Sequence, residues 1–297
     1  MSITERLANL SIPTVIITVI VLLIIRFVLL KLKHPFAKSV AEIAESLAVA
    51  MALVFLLIRP FIVQAFFIPS ASMHPTLLEQ DHILVNKFIY RFEEPKLDDV
   101  VVFKAPPEAT PGEPVEKDFI KRVIGVPGDK IRITAGYIMI GDMKYTHVDL
   151  RDLLGTYAKP DGDVDVCVLL KGNDVYVDGR RVTHAEIAAA ANDPKAKVKV
   201  FPGKVYINGK AIDEPYIAED PDLPYPMLSG EKATPEKWIV KYQGKPAVKI
   251  PQGRLLVMGD NRNNSNDARF WGLLDRKRML GKAMFIFWPL TRIRWIH

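Results

Sequence analysis

Lys204-Val205-Tyr206-Ile207-Asn208-Gly209-Lys210-Ala211-Ile212 decides the fold class, because Asn-Gly flanked by alternating apolar residues is a hairpin signal. Asp174-Val175-Tyr176-Val177-Asp178-Gly179-Arg180-Arg181-Val182 repeats the pattern with Asp-Gly at the turn. Around these hairpins lie more short strand-like runs separated by Pro and Gly: HILVNKF from His82, DVVVFKAP from Asp99, KRVIGVPGDKIRI from Lys121, GYIMI from Gly136, GRLLVMGD from Gly253 and KAMFIFWP from Lys282. The spacing predicts a mainly β domain over residues 64–297. Its one expected helix lies near His184 to Asn192, in a polar stretch from about Gly141 to Lys204 that reads as a smaller inserted β-rich subdomain. Two short copies of one hairpin do not make a repeat architecture.

The region before residue 64 has a different character. Residues 10–30, LSIPTVIITVIVLLIIRFVLL, are apolar except for Ser11, Thr14, Thr18 and Arg26, and match the length of a bilayer crossing. Glu5 offsets Arg6 and no small-residue cleavage site follows, so the segment reads as a permanent anchor rather than a removable signal. A second apolar run from residue 47 is broken by Arg59 and Pro60, and is expected to cross the membrane over about 47–63. A buried core helix ending at Arg59 is its alternative. The intervening residues 31–45 carry Lys31, Lys33 and Lys38, so the positive-inside rule predicts a cytoplasmic loop there and an exported β domain after it.

Composition narrows the function classes. The 297 residues are 49% hydrophobic and 25% charged, which excludes a disordered chain and a wholly membrane-embedded transporter. Mean hydropathy of +0.11 is high for a soluble domain, and the two apolar runs account for it. The single cysteine, Cys167, excludes an internal disulfide, and no Cys/His spacing suits zinc. A net charge of +6 would suit nucleic acid, but the cations are scattered, so no nucleic-acid partner is expected. Asp161, Asp163 and Asp165 alternate but lack the glycine and twelfth-position Glu of a calcium loop. Ser229-Gly230-Glu231-Lys232 fits a Ser-x-x-Lys pattern by chance, lying among Pro and Gly rather than on a helix.

Three polar segments could carry chemistry. Ile68-Pro69-Ser70-Ala71-Ser72-Met73-His74-Pro75-Thr76-Leu77 follows directly on the second apolar run and offers two hydroxyls between constrained prolines. A serine needs a base. His74 is only two residues from Ser72, and no G-x-S-x-G elbow exists, so a Ser-His-Asp triad has little support. Lys121 interrupts the apolar run Asp118-Phe119-Ile120-Lys121-Arg122-Val123-Ile124-Gly125, and alternation sends Lys121 and Arg122 to opposite faces, so at least one cation meets apolar surroundings. Burial drives a lysine toward its neutral, basic form. The third segment, Met258 to Gly272, contains two acids and two arginines, Asp260, Arg262, Asp267 and Arg269, that could brace a site. Taken singly, the three read as a juxtamembrane linker, a solvated cation pair and a surface loop.

Together they resemble, in order and spacing, the diagnostic boxes of the bacterial type I signal peptidases: Pro-Ser-x-Ser-Met-x-Pro-Thr-Leu, Lys-Arg-x-x-Gly-x-Pro-Gly-Asp and Gly-Asp-Asn-Arg-x-Asn-Ser-x-Asp-x-Arg. The resemblance covers both membrane segments and most of the exported part, except the stretch from about Gly141 to Lys204. It implies a membrane-bound serine endopeptidase of the bacterial cytoplasmic membrane, its catalytic domain on the outer face, with signal peptides of secretory preproteins as substrates. Membrane lipid and the secretion machinery are further partners under the same resemblance. It further implies Ser72 as nucleophile, Lys121 as general base, and Ser70 with the Ser72 N–H as oxyanion hole. Ser265 would orient the lysine, with Asp267, Arg269 and Arg122 supporting it. Ile68, Leu77 and Ile120 would line pockets for small side chains, and no metal or cofactor is implied. Ala71, Asn263 and Ala268 depart from the usual glycine, Asp and Ser, and Leu97-Asp98-Asp99 replaces a frequent Arg-Gly-Asp, which questions the turn there. A Ser-Lys self-cleaving repressor-like protein and a non-enzymatic, membrane-anchored peptide-binding β domain are the alternatives.

Overall fold

The computed structural model describes residues 12–32, 34–58, 63–155, 166–230 and 234–297. Glu5 and Arg6, Lys33, the Arg59-Pro60 break, the Asp161, Asp163 and Asp165 alternation, and Lys232 of the Ser-x-x-Lys pattern lie outside them. The chain divides into two units: Met1–Phe67 with His82–Glu93 and Gly281–Trp295, and Ile68–Asp81 with Glu94–Leu280 and Ile296–His297.

In the first unit, helix α1 spans Ile12–Leu30 and α2 spans Pro35–Ala52, continued by a π-helical turn, Leu53–Ile58. Both helices are long and apolar enough to cross a membrane. The expected loop over 31–45 is corrected: α2 starts at Pro35, twelve residues before the expected 47, so residues 35–45 are helical. The reason is local. His34 Nδ1 accepts the Phe36 N–H at 3.2 Å and Pro35 sits in the first turn, while Ala and Glu in the following residues favour helix. Apolar content finds the membrane-length window but not the helix start. Ala37, Ala41, Ala44 and Ala48 form a buried stripe whose small side chains allow close approach of α1. Arg26, the cation of the first apolar run, pairs with Glu45 at 2.9 Å. The unit also holds an antiparallel ribbon in which Val63–Phe67 pairs with His82–Asn86, and the latter with the strand Met279–Trp288. Phe67, Trp288, Leu290 and Trp295 of this unit stay exposed.

The second unit is antiparallel β. Val100–Lys104, Asp118–Gly125, Arg254–Met258 and Leu274–Asp275 lie in that order in one sheet. The Asp118–Gly125 strand is buried on both faces from Lys121 onward, so both cations are buried where alternation predicts at least one to be. A five-stranded sheet follows the order Lys210–Ala211, Lys204–Ile207, Lys130–Thr134, Lys245–Lys249, Ile239–Tyr242. Both expected hairpins form, with Asp178 and Gly179 at φ 47° and 76° and Asn208 and Gly209 at 52° and 84°, the left-handed pair that such turns require.

The polar stretch has its own apolar core. Ile138, Ile140, Leu150, Val168, Val175, Ile187 and their neighbours pack together between two three-stranded sheets and two helices. His184–Ala190 is the expected helix, and His147–Leu154 is one the sequence reading missed. Thr146 and Asp149 close a capping box there, as Thr183 and Glu186 do for the other.

Candidate active site

Ser72 sits in a single 3₁₀ turn, Ala71–Met73, opened by extended Ser70 and fixed by the fully buried Met73. Lys121 comes from the Asp118–Gly125 strand, and its Nζ lies 2.8 Å from Ser72 Oγ and 2.9 Å from the Ile120 carbonyl oxygen. Only 4% of Lys121 is exposed. Desolvation by burial is the strongest influence on the amine and lowers its pKa from 10.5 to about 8, against the opposing pull of Asp267 and Asp260. An amine that loses its proton near neutrality, in contact with a hydroxyl, can accept that hydroxyl's proton. His74 does not compete, since its Nε2 pairs with Glu79 at 2.6 Å.

Residues 259–269 brace the pair. The Asn261 N–H donates to Ser72 O at 3.2 Å and its Nδ2 to Ala71 O at 3.3 Å, holding the serine turn by its backbone. Gly259 is required: a Cβ there would overlap both Ser72 O and the Ser265 hydroxyl. Asp267 caps the short helix Ala268–Trp271 and accepts the Gly259 N–H at 3.1 Å, while Arg269 reaches its two oxygens from Nε and Nη2, each at 2.9 Å. Burial alone would raise the Asp267 carboxyl, but the Arg269 guanidinium and these bonds hold it below the usual carboxylate range.

Arg122 belongs to a second network. Its Nε and Nη2 grip Asp260 at 2.8 and 2.7 Å, and Nη1 donates to the Asp98 and His297 carbonyls, both at 2.9 Å. The Tyr216 ring stacks 3.9 Å from the guanidinium, and Thr76 donates to Asp260 Oδ2 at 2.5 Å. Thus the acids and arginines of the third segment do pair, but only Asp267 with Arg269. Asp260 pairs with Arg122, and Arg262 with Glu214. Asp98 keeps the turn where glycine is frequent: it takes φ 68°, a left-handed conformation that Asp tolerates better than most, and its Oδ1 accepts the Tyr216 hydroxyl at 2.9 Å.

Other expected residues are less tightly joined. Ser70 is exposed and makes no capping bond. Ser265 is buried beside Gly259, but its hydroxyl has no partner among the described residues. Ile68 and Leu77 are in the core at 2% and 0% exposure, while Ile120 is partly open. Sequence reasoning missed Thr76, Glu214 and Tyr216. Glu214 and Tyr216 flank Pro215 in a segment with no local sign of burial.

A family model described as "Signal peptidase, peptidase S26" matches residues 40–160 and 194–288, which include Ser72, Lys121 and residues 259–269. The probable signal peptidase I-2 of Synechocystis sp. is 28% identical over 89% of this chain and 80% of its own length. Signal peptidase I of Aquifex aeolicus is 33% identical over 86% of this chain and 91% of its own. That of Buchnera aphidicola subsp. Schizaphis graminum is 33% identical over 89% and 79%. Between its two matched stretches the family model leaves out residues 161–193, among which Val168, Leu170, Val175, Val182 and Ile187 belong to the inserted core. With the match spanning well over half of the chain, the chain belongs to the signal peptidases of family S26, serine endopeptidases that hydrolyse peptide bonds.

Proposed function

We propose that this enzyme removes signal peptides with Ser72 as nucleophile and Lys121 as general base. The 2.8 Å contact between Lys121 Nζ and Ser72 Oγ, on an amine with pKa about 8, is the observation that carries the reading. The neutral amine takes the hydroxyl proton as Oγ bonds to the scissile carbonyl carbon. Lys121 then gives that proton to the departing amine, leaving an acyl-Ser72 ester. Water, deprotonated by the same lysine, releases the signal peptide and frees Ser72. The Ser72 N–H and Ser70 hydroxyl donate to the oxyanion, and Ser265 limits where the lysine head can move.

An extended substrate sends alternate side chains toward the enzyme. Ile68, Leu77 and Ile120 would meet the residues first and third before the cut, Ile120 being the partly open one of the three, and their bulk leaves room for a methyl group but not for a branched chain. Overfilling it costs about 1 to 3 kcal/mol. Residues 1–63 form the membrane anchor, crossing twice with the residues between the two helices in the cytoplasm, and 64–297 work on the outer face, where A-x-A segments emerge.

A serine-reactive acylating agent tests the assignment: mass spectrometry is expected to find the adduct on Ser72 in the wild type and none in Lys121→Arg. An adduct elsewhere, or equal cleavage of synthetic substrates with Ala and Leu before the cut, overturns the reading. Ser70→Ala is expected to lower kcat by about 10²- to 10³-fold with KM little changed.

A further inference from the structure

Residues 214–222 hold two structures at once. Facing residues 259–264, the Ala218 N–H donates to the Asp260 carbonyl at 3.2 Å, and Glu214 takes both terminal nitrogens of Arg262 at 3.0 and 2.5 Å. Asn263 is held twice, its Nδ2 donating to Asp220 O and its Oδ1 accepting the Asp222 N–H, each at 3.0 Å. Facing the inserted core, Glu219 accepts Arg151 Nη2 at 2.8 Å and the Val168 N–H at 2.6 Å. Asp220 pairs with His147 Nε2 at 2.8 Å and accepts the N–H groups of Leu170 and Gly203 at 2.7 and 2.5 Å.

Glu219 and Asp220 are 3% and 2% exposed, adjacent in sequence and both acidic. Two neighbouring carboxylates are buried only where donors satisfy them, and Arg151, His147, Val168 and Leu170, all from the inserted subdomain, supply most of those donors. The fit is close: a Cβ at Gly136 would overlap Asp220 Oδ2 and lie 2.7 Å from His147 Cε1. Burial pulls the His147 pKa down, but the hydrogen bond and charge of Asp220, with Glu219 and Asp222, outweigh it and leave the imidazole raised. Beyond residues 214–222, Asp260 fixes Arg122 next to Lys121, and Asn261 fixes the Ser72 carbonyl.

We propose that Glu219 and Asp220 are positioning residues: they lock the inserted subdomain onto the strap at 214–222, and through it hold the 259–264 loop that keeps Ser72 and Lys121 in register and dry. The proposal rests on the Ser72–Lys121 reading above. Neither carboxylate touches a reacting atom, so their effect passes through Asp260 and Asn261. Loosening the loop admits water around Lys121, and because desolvation dominates that amine, its pKa returns toward 10.5.

The test uses the full chain in detergent with a synthetic signal-peptide substrate, comparing Glu219→Gln and Asp220→Asn with Arg181→Ala, which breaks an exposed pair with Asp174 in the same subdomain. The first two are expected to lower kcat roughly ten- to hundred-fold with KM nearly unchanged, and to move the acid limb of kcat/KM upward. Arg181→Ala is expected to match the wild type. Wild-type kcat and an unmoved limb in the folded Glu219 and Asp220 variants overturn the proposal, as does an equal loss in Arg181→Ala. If neither variant folds, Arg151→Ala, at the partly exposed end of the Glu219 pair, carries the same readouts, and Arg151→Lys is expected to restore part of the rate. Acylation of wild-type Ser72 separates the two readings: an unlabelled Ser72 removes the dyad, whereas a labelled Ser72 with unaffected strap variants removes only the strap.

Discussion

The inserted core and the charged side chains of the loop at 259–269 are both buried and held by opposite means. Around Ile138, Leu150, Val175 and Ile187 the interior is apolar, and its stability comes from area removed from water. Residues 260–269 instead bury Asp260, Arg262, Asp267 and Arg269, each paired by ions or hydrogen bonds. Apolar packing is non-directional and degrades gradually. A buried ionic network fixes direction, at the cost of desolvating every charge in it. One such network surrounds the 2.8 Å contact between Lys121 Nζ and Ser72 Oγ, and another holds Glu219 and Asp220 against Arg151 and His147.

The largest break in this contrast is Lys121→Arg. The guanidinium keeps the charge but cannot act as a base, so kcat/KM should fall by roughly 10²- to 10⁴-fold while the protein stays folded. Wild-type turnover would refute the role of the amine. In the wild type the acid limb of kcat/KM should lie near pH 8, since only neutral Lys121 accepts a proton. The sign for stability follows: the folded state binds fewer protons than the unfolded one between about 8 and 10.5, so stability rises with pH across that window. Lys121→Met should remove that slope in urea melts.

Next in size is Asp260→Ala, which leaves Arg122 buried without its carboxylate. A loss of about 3 to 5 kcal/mol in chemical denaturation is expected, with activity falling in parallel. A loss under 1 kcal/mol would mean that the network contributes little to the folded state.

Ile187→Ala sharpens the comparison from the apolar side. It should cost about 2 to 5 kcal/mol of stability through the cavity it leaves, yet below the melting range kcat and the acid limb should match the wild type. A shifted limb would show that the inserted core reaches Lys121 by packing alone, without the Glu219 and Asp220 contacts.

The smallest effect is expected for Asp98→Gly. Glycine relieves the left-handed φ of 68° but gives up the Tyr216 hydrogen bond, so the two terms should nearly cancel, to within about 1 kcal/mol. Asp98→Ala loses the bond without relieving the strain and should be the worse of the pair in the same melts.

Much of this was legible in the chain itself. Alternation with Asn-Gly and Asp-Gly turns determined the β class, because side chains alternate across a strand and only a few residues accept positive φ. The apolar runs determined the two long N-terminal helices, and the order and spacing of the three polar segments, through their resemblance to the signal peptidase boxes, pointed to Ser72, Lys121 and residues 258–272. Tertiary structure decided what local pattern cannot carry. Where α2 begins depended on the His34 cap and the alanine stripe against α1, not on apolar content. Which acid faces which arginine depended on partners far apart in sequence: Asp260 takes Arg122 across 138 residues, and Arg262 takes Glu214 across 48. A polar stretch at 141–204 hid an apolar core because its strands and helices each contribute only a few inward residues, which become a core only once they meet. The lowered pKa of Lys121 belongs to the same class: desolvation is a property of everything packed around the amine, and no window of sequence contains it.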